Sequence, residues 1–549
     1  MTAPAKVMVI AFDACDKDLA TRLAAEGRAP NLAALMERAV VTETAGPVGL
    51  YVGSIWPTLV TARQPSRHGY YCWEEATAGG TEHLPTDPRS IDGSPFWLEL
   101  SRRQRRVAVV DVPHVGVDEH LNGIQVGEWG CHDRHFGFRT SPPELARDLE
   151  QRFGLHPVLG LDAHSDRQFA SDDEAHRSGL RREPGELRAL TLDLLEGVER
   201  KTNLSLDLLD RGGWDLFFTV FGEAHAVGHQ CWFLHDRDHV RHDPALAAEL
   251  GDPVTAVYER LDAALGAHLE RAGPDTAAFV LFTHGMGAHY DGTLLLEPIL
   301  RRLDERTSAG DGGSRVANAA KAAWQQVPRA ARQRLMPAAA WTLRRRLERG
   351  HSTKPSSTVR CGCGIRPPSA TEMRSRRAFA VPNNDAHGGI RINVAGRERY
   401  GTVDPRDFDA VCDDVTNELL DVVNVDTGER VVEAVVRSSD HYDRAELDTM
   451  PDLFVLWNRA HPASTAWSPR VGLVYEPYEG WRTGDHRPGG MLLAQTPWTR
   501  PGSLRRTVEI VDLAPTIGSA LGVELPDVDG RPVVELVPPS RSGAALSPG

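Results

Sequence analysis

The segment Phe218-Thr-Val-Phe-Gly-Glu-Ala-His-Ala-Val-Gly-His229 runs from apolar residues into three that could hold an ion or move a proton: Glu223, His225 and His229. The apolar run reads as a buried strand. The polar residues then lie at a sheet's carboxyl edge, where open α/β sheets bind ligands. A His-x-x-x-His spacing points two imidazoles at one ion if a helix or tight turn follows. Two ordinary loop histidines would look the same, because short motifs recur by chance. A second strand–histidine unit weighs for the ion: Ala277-Phe-Val-Leu-Phe282 leads into Thr283-His284-Gly285-Met286-Gly287. Asp13 ends a third apolar run and alone would be a turn former or helix cap. Ser54, just before Ile55-Trp56-Pro57, reads as an N-cap with proline in the first helical turn. The same place would give its hydroxyl a positive field and free N–H groups, which bind phosphate and stabilise an alkoxide. Late in the chain, Arg482-Thr-Gly-Asp-His486-Arg-Pro-Gly-Gly490 is a glycine-rich loop.

The elements that must position these residues alternate in type. Val7–Phe12 reads as a strand and Lys17 to about Ala39 as a helical stretch. Arg106–Asp111 is a further short strand. Leu187 to Leu209 is helical before Leu216–Phe221, and Val254 to Ala272 is helical before Ala277–Phe282. This order predicts an α/β fold with a mainly parallel central sheet and helices on both faces. The composition shifts after residue 300: from 301 to 360 the chain holds fourteen Lys/Arg against four Asp/Glu. We expect 301–375 to be a basic, largely helical insertion, a solvated face before a lid or docking surface. The α/β core resumes over 376–537, with Ile390–Val394 alternating like a half-buried strand and Leu453–Trp457 and Met491–Ala494 as short strands. Residues 538–549 read as a flexible tail.

The bulk numbers exclude some classes. A net charge of −14 argues against a nucleic-acid polymer as partner. The seven cysteines are scattered with no Cys-x-x-Cys, so neither a disulfide framework nor a thiolate zinc site is expected. No run approaches the ~18 apolar residues of a membrane span. The first apolar run is too short for a signal peptide, and a cytoplasmic location is the expectation.

Taken together, the motifs resemble the type I phosphodiesterase/nucleotide pyrophosphatase family of the alkaline phosphatase superfamily. Val7-Met-Val-Ile-Ala-Phe-Asp13 looks like the opening strand with its metal-binding Asp. Ala29-Pro-Asn-Leu-Ala-Ala-Leu-Met36 looks like the family's Pro-Asn-Leu helix. Trp56-Pro-Thr-Leu-Val-Thr-Ala-Arg-Gln-Pro-Ser-Arg-His-Gly69 is similar to the stretch after the nucleophile. Thr283-His-Gly-Met286 resembles Asp-His-Gly-Met, and Gly484-Asp-His486 the last metal histidine. The resemblance implies an alkaline-phosphatase-like fold with a smaller α+β elaboration.

It also implies two zinc ions (Mn2+ being the alternative) roughly 4 Å apart, a spacing common to two-metal hydrolases. Carried over by position, His225, His229 and His486 hold one ion, and Asp13, His284 and Ser54 the other. Three departures stand out. His225 replaces an Asp, which keeps a plausible zinc ligand. Thr283 replaces an Asp of the second site, with Glu223, His289 or Asp485 as possible substitutes. A gapless match puts Val52 at the nucleophile position, which leaves Ser54 as the nearest hydroxyl and Thr58 and Tyr51 behind it. The implied chemistry is hydrolysis of a phosphodiester or pyrophosphate bond in a small phosphate ester, through a phosphoryl-enzyme. His114, Trp129 and His132 are expected to line the substrate pocket. The alternatives are a phosphonate hydrolase or phosphoryl transferase at the same site, or a weakly active binding or regulatory protein on the same scaffold.

Overall fold

The computed structural model describes residues 6–80, 82–131, 135–158, 183–289, 292–308, 365, 367–384, 386–443, 448–478 and 482–539. Most of the expected basic insertion, the terminal tail from residue 540 and His132 lie outside the described residues.

The strands that build the main sheet are β1 (Lys6–Phe12), β2 (Val40–Ala45), β3 (Val107–Val110), β4 (Gly123–Gly127), β5 (Arg139–Ser141), β6 (Leu216–Phe221) and β7 (Thr276–Phe282). Two more, β8 (Gly285–Ala288) and β9 (Gly484–Arg487), form a separate antiparallel ribbon, and β10 (Gly490–Gln495) returns to the main sheet. The main order is β2-β10-β7-β1-β6-β3-β4-β5, with short edge strands beside β2. The central pairs β7–β1, β1–β6, β6–β3 and β3–β4 are parallel; β10 and β5 run antiparallel to their neighbours. Both faces of this parallel centre are covered, which is why its strands are continuous apolar runs. Along β1, Met8, Ile10 and Phe12 pack into one core with the helices Pro184–Asp210, Glu223–His235 and Pro253–Ala272. Val7, Val9 and Ala11 face the opposite core with Tyr51–Thr61, Phe96–Arg102 and Leu513–Ala520. Each fully buried Val, Leu, Ile or Phe there contributes about 1.5–3 kcal/mol of transfer free energy.

Two expectations change. The stretch from Lys17 to Ala39 is two helices, Lys17–Ala25 and Pro30–Arg38. Gly27 takes the left-handed conformation (φ 76°) that ends the first, and Pro30 opens the second. The strand expected to be half-buried spans Gly388–Ile392 and is buried throughout. Its Arg391 is fully enclosed and pairs with Glu398 at 2.6 Å, so the polar letters of the alternation hide an internal ion pair. This strand belongs to a four-stranded antiparallel sheet, ordered Ala378–Val381, Gly388–Ile392, Leu453–Trp457, Val432–Arg437. That smaller sheet supports the start of Tyr51–Thr61: Phe454 packs with Leu50, and Asn383 donates to the Gly49 carbonyl at 2.8 Å.

Buried neutral histidines tie the fold to pH. Tyr70 N–H donates to His68 Nδ1 (3.2 Å) while His68 Nε2 meets the Thr58 hydroxyl (3.0 Å). Burial holds His68 down to about 3 and His268 down to about 4. Both therefore bind a proton in the unfolded chain before they do in the folded one. Stability is complete above the unfolded value near 6.5 and falls as pH drops toward the folded values. Urea unfolding at pH 7.5 and 5.5 should show a loss of roughly 1 kcal/mol per histidine, and His68→Gln should remove its share of that pH dependence.

Candidate metal centre

Register brings the site together. Phe12 lies beside Phe221 on one side and Phe282 on the other, so three neighbouring parallel strands end at one level. Asp13 N–H donates to Phe221 O (2.9 Å) and Thr283 N–H to Phe12 O (3.3 Å), which fixes the first residue past each strand. After β6 the chain turns within one residue into the helix Glu223–His235, with His225 and His229 one turn apart on it. His486 arrives from β9, opposite Met286 of β8.

The ribbon reaches the helix because two glycines meet. A Cβ on Gly484 would lie 2.2 Å from Gly228 O and 2.9 Å from Trp232 Cβ, and one on Gly228 would lie 2.7 Å from Met286 Cγ. Thr483 N–H donates to His229 O at 2.6 Å and locks the approach.

The outcome is a group of three buried histidines, His225, His229 and His486, each offering a ligand atom within 4.8 Å of the others. His225 Nε2 and His229 Nε2 face one another at 2.9 Å. The outer nitrogen of His225 meets Asp13 Oδ2 at 2.8 Å, and that of His229 meets Gly484 O at 2.8 Å. His284 Nε2 meets His486 Nδ1 at 2.9 Å, and His284 Nδ1 meets Thr283 Oγ1 at 3.1 Å. Burial, then repulsion from His229, His225 and His284, holds His486 well below the ordinary histidine range. It is a neutral imidazole at pH 7, the form that ligates metal. The donor set fits an ion such as zinc, which imidazoles bind at about 2.0–2.1 Å.

The other candidates fall differently. Ser54 is not the helix cap: the helix Tyr51–Thr61 starts earlier, with Leu50 as its N-cap residue. The gapless run of apolar residues around Tyr51 and Val52 hides that start, since no Ser, Thr, Asp or Asn caps it. Ser54 Oγ is fully buried and donates to Leu50 O at 2.7 Å, a back-bond within the helix. Thr58 Oγ1 is taken by His68. Tyr51, the first residue of the helix, sets its ring edge 5.9 Å from His284 and 5.2 Å from His387. Its hydroxyl is buried and has no hydrogen-bond partner among the described residues. Burial raises the phenol above its ordinary range, against the pull of Arg459, so it stays un-ionised.

Of the groups considered as substitutes beside Thr283, Glu223 pairs with His156 at 3.1 Å and His289 stacks on Tyr478 with ring centres 3.8 Å apart. Asp485 is fully buried, neither carboxylate oxygen is hydrogen-bonded among the described residues, and it lies on the strand face opposite His486. None of the three joins the histidine group. Trp129 packs in the core: it is fully buried, its indole N–H donates to Gly154 O, and its ring meets His156 edge-on. His114 packs its ring between Tyr70 and His135 at a left-handed backbone position (φ 60°). Sequence reasoning passed over Trp56 as a partner in the site. Its indole N–H donates to Asp13 Oδ1 at 2.9 Å, and nothing in its spacing signals that.

Because the ribbon touches the helix through Gly484, Gly484→Ala should push His486 off the other two histidines. We expect a loss of about 1–3 kcal/mol in thermal or urea unfolding, the usual range for overpacking, together with weakened zinc binding in a titration. Unchanged stability and unchanged zinc affinity would contradict the close approach.

The profile of the type I phosphodiesterase / nucleotide pyrophosphatase family matches residues 7–359. No curated protein matches the chain. Among solved structures, the chain is similar to murine ectonucleotide pyrophosphatase / phosphodiesterase 5 in complex with AMP at 11% identity, covering 96% of this chain and 97% of that one, with a TM-score of 0.45. It is similar to phosphonoacetate hydrolase from Sinorhizobium meliloti 1021 in complex with phosphonoformate at 12% identity, covering 94% and 96%, with a TM-score of 0.46. Human ectonucleotide pyrophosphatase / phosphodiesterase 5 gives 10% identity over 96% and 97%, with a TM-score of 0.44. On the family match, which spans well over half of its length, the chain belongs to the type I phosphodiesterase / nucleotide pyrophosphatase family, and so to the hydrolases.

Proposed function

We propose that this protein is a metal-dependent hydrolase that cleaves a phosphodiester or pyrophosphate bond in a small substrate at the His225, His229 and His486 group. The observation that carries the reading is the orientation of these imidazoles. They converge, and the outer nitrogens of His225 and His229 are held by Asp13 and the Gly484 carbonyl. Such outer partners fix the ring and its tautomer for metal binding. An ion held there would act as a Lewis acid on the phosphoryl group and favour the ionised form of an attacking hydroxyl.

The chain's own residues supply the rest. Tyr51, neutral and unpartnered, is placed at the helix start to donate a hydrogen bond to an incoming oxyanion. The carried-over nucleophile is Ser54, and a phosphoryl-enzyme on it requires its side chain to leave the Leu50 carbonyl. Zinc is the proposed ion, with Mn2+ the alternative. A reducing, cytoplasmic setting agrees with the five buried cysteines among the described residues, and no helix among those residues is long and apolar enough to cross a membrane.

One observation favours a second reading, a weakly active or regulatory protein on this scaffold. Among the carried-over positions, Val52 has no nucleophilic atom and Ser54 Oγ is committed within the helix.

Turnover of bis(p-nitrophenyl) phosphate separates the two. The hydrolase reading expects metal in the purified protein, loss of turnover with a chelator and recovery on adding zinc. His229→Ala should lower turnover by at least about 10²-fold, and Tyr51→Phe by about 10-fold or more, in proportion to one lost oxyanion donor. A Ser54→Ala variant as active as the parent removes the phosphoryl-enzyme route. A metal-free, inactive parent with an intact fold supports the regulatory reading.

A further inference from the structure

The family pattern assigns Asp13 and His284 to a second ion, and in this chain their ligand atoms meet neighbouring protein groups. Asp13 Oδ2 meets His225 Nδ1 at 2.8 Å and Asp13 Oδ1 accepts from Trp56 Nε1 at 2.9 Å. His284 has both ring nitrogens occupied, Nδ1 by Thr283 Oγ1 at 3.1 Å and Nε2 by His486 Nδ1 at 2.9 Å. The groups these four atoms face are other members of the centre or its immediate supports, and all are buried.

The geometry points to a one-ion centre in which His225, His229 and His486 are the ligands and Asp13 and His284 are positioning residues that hold two of them. This rests on the proposed metal-dependent reading and narrows it. His225 and His229 each meet a partner through Nδ1, Asp13 and the Gly484 carbonyl, and His486 meets His284 through its own Nδ1. That arrangement is the general one for metal-binding histidines, whose second nitrogen is held by a carboxylate, a carbonyl or a neighbouring polar group. It also gives a physical role to two of the three departures from the family pattern. The replacement of an Asp by His225 creates a ring whose far nitrogen needs a carboxylate, and Asp13 becomes that carboxylate. The replacement of an Asp by Thr283 removes an anion from the second site and leaves a hydroxyl of the right size to meet His284. With Thr283 in place of an Asp, a second dication would have Asp13 as its one anionic group, and that carboxylate is already engaged by His225 and Trp56. The inner nitrogens need little adjustment. Tetrahedral zinc with bonds of about 2.0–2.1 Å sets ligand nitrogens about 3.4 Å apart. His225 Nε2 and His229 Nε2 are 2.9 Å apart, so a side-chain movement of about half an ångström opens the site.

Metal-stripped protein titrated with Zn2+, and separately with Co2+ for its absorption spectrum, tests the assignment, with bound metal counted by elemental analysis and the fold checked by circular dichroism. The expected stoichiometry is one ion per chain in the parent, in Asp13→Asn and in His284→Gln. The two variants should bind that ion about 10- to 100-fold more weakly and shift the Co2+ absorption maximum, because the basicity and aim of a ligand change while the ligands remain. His229→Ala should lose the ion. Two ions per chain in the parent would overturn the one-ion centre while leaving the metal-dependent hydrolase intact. A folded Asp13→Asn or His284→Gln that binds no ion would overturn the positioning role and make that residue a ligand. No ion in the folded parent would overturn both this inference and the proposed function.

Discussion

Strands β6, β1 and β7 are hydrogen-bonded in parallel register, and their last residues, Phe221, Phe12 and Phe282, lie side by side. Everything polar in the site hangs from that alignment. The residue after each strand emerges at the same edge, so Asp13, the first turn of the histidine helix and Thr283-His284 are neighbours although more than two hundred residues separate the first from the others in the chain. The apolar layers on both faces hold the alignment, because a one-residue slip of β1 would turn Met8, Ile10 and Phe12 into the wrong core.

The second constraint is the contact between Gly228 and Gly484. It lets a ribbon from the far end of the chain press its backbone against the histidine helix and add His486 to the two helical histidines. The Gly484 carbonyl that orients His229 belongs to the same contact. Packing and ligand geometry are thus one feature: the small residues that permit the approach also place the acceptor. The cost of gathering four imidazoles is reduced by contacts between their ring nitrogens, and burial with repulsion from its neighbours keeps His486 itself neutral.

The polar surroundings of Tyr51 differ in kind. Among the described residues, the hydroxyl of Tyr51, both oxygens of Asp485 and Nδ1 of His387 are buried without hydrogen-bond partners. Native interiors rarely leave such groups unmatched, and each costs about 1–3 kcal/mol when they do. Their concentration on the side of the centre reached by the start of the Tyr51–Thr61 helix gives that side the polar character a phosphoryl substrate would need.

Much of this was legible in the letters because the signals are local. Continuous apolar runs such as Leu216–Phe221 and Leu453–Trp457 declare strands buried on both faces, and a strand ending in Asp or Thr-His places a polar group at the sheet edge whatever surrounds it. The two helical histidines announce themselves by a spacing of four. What spacing cannot carry is which nitrogen faces which partner. Whether Asp13 touches an ion or a histidine, whether Ser54 faces a substrate or its own helix, and whether Trp129 lines a pocket or fills a core all turn on rotations of a side chain about a backbone position. The sequence by itself therefore determined which segments are the buried strands, the carboxyl-edge location of the polar residues and the histidines proposed as ligands. Only the tertiary structure decided which groups they meet, because hydrogen bonds as short and directional as those of Asp13, Gly484 and His284 form between segments that meet only when the sheet, the helix and the late ribbon are packed together.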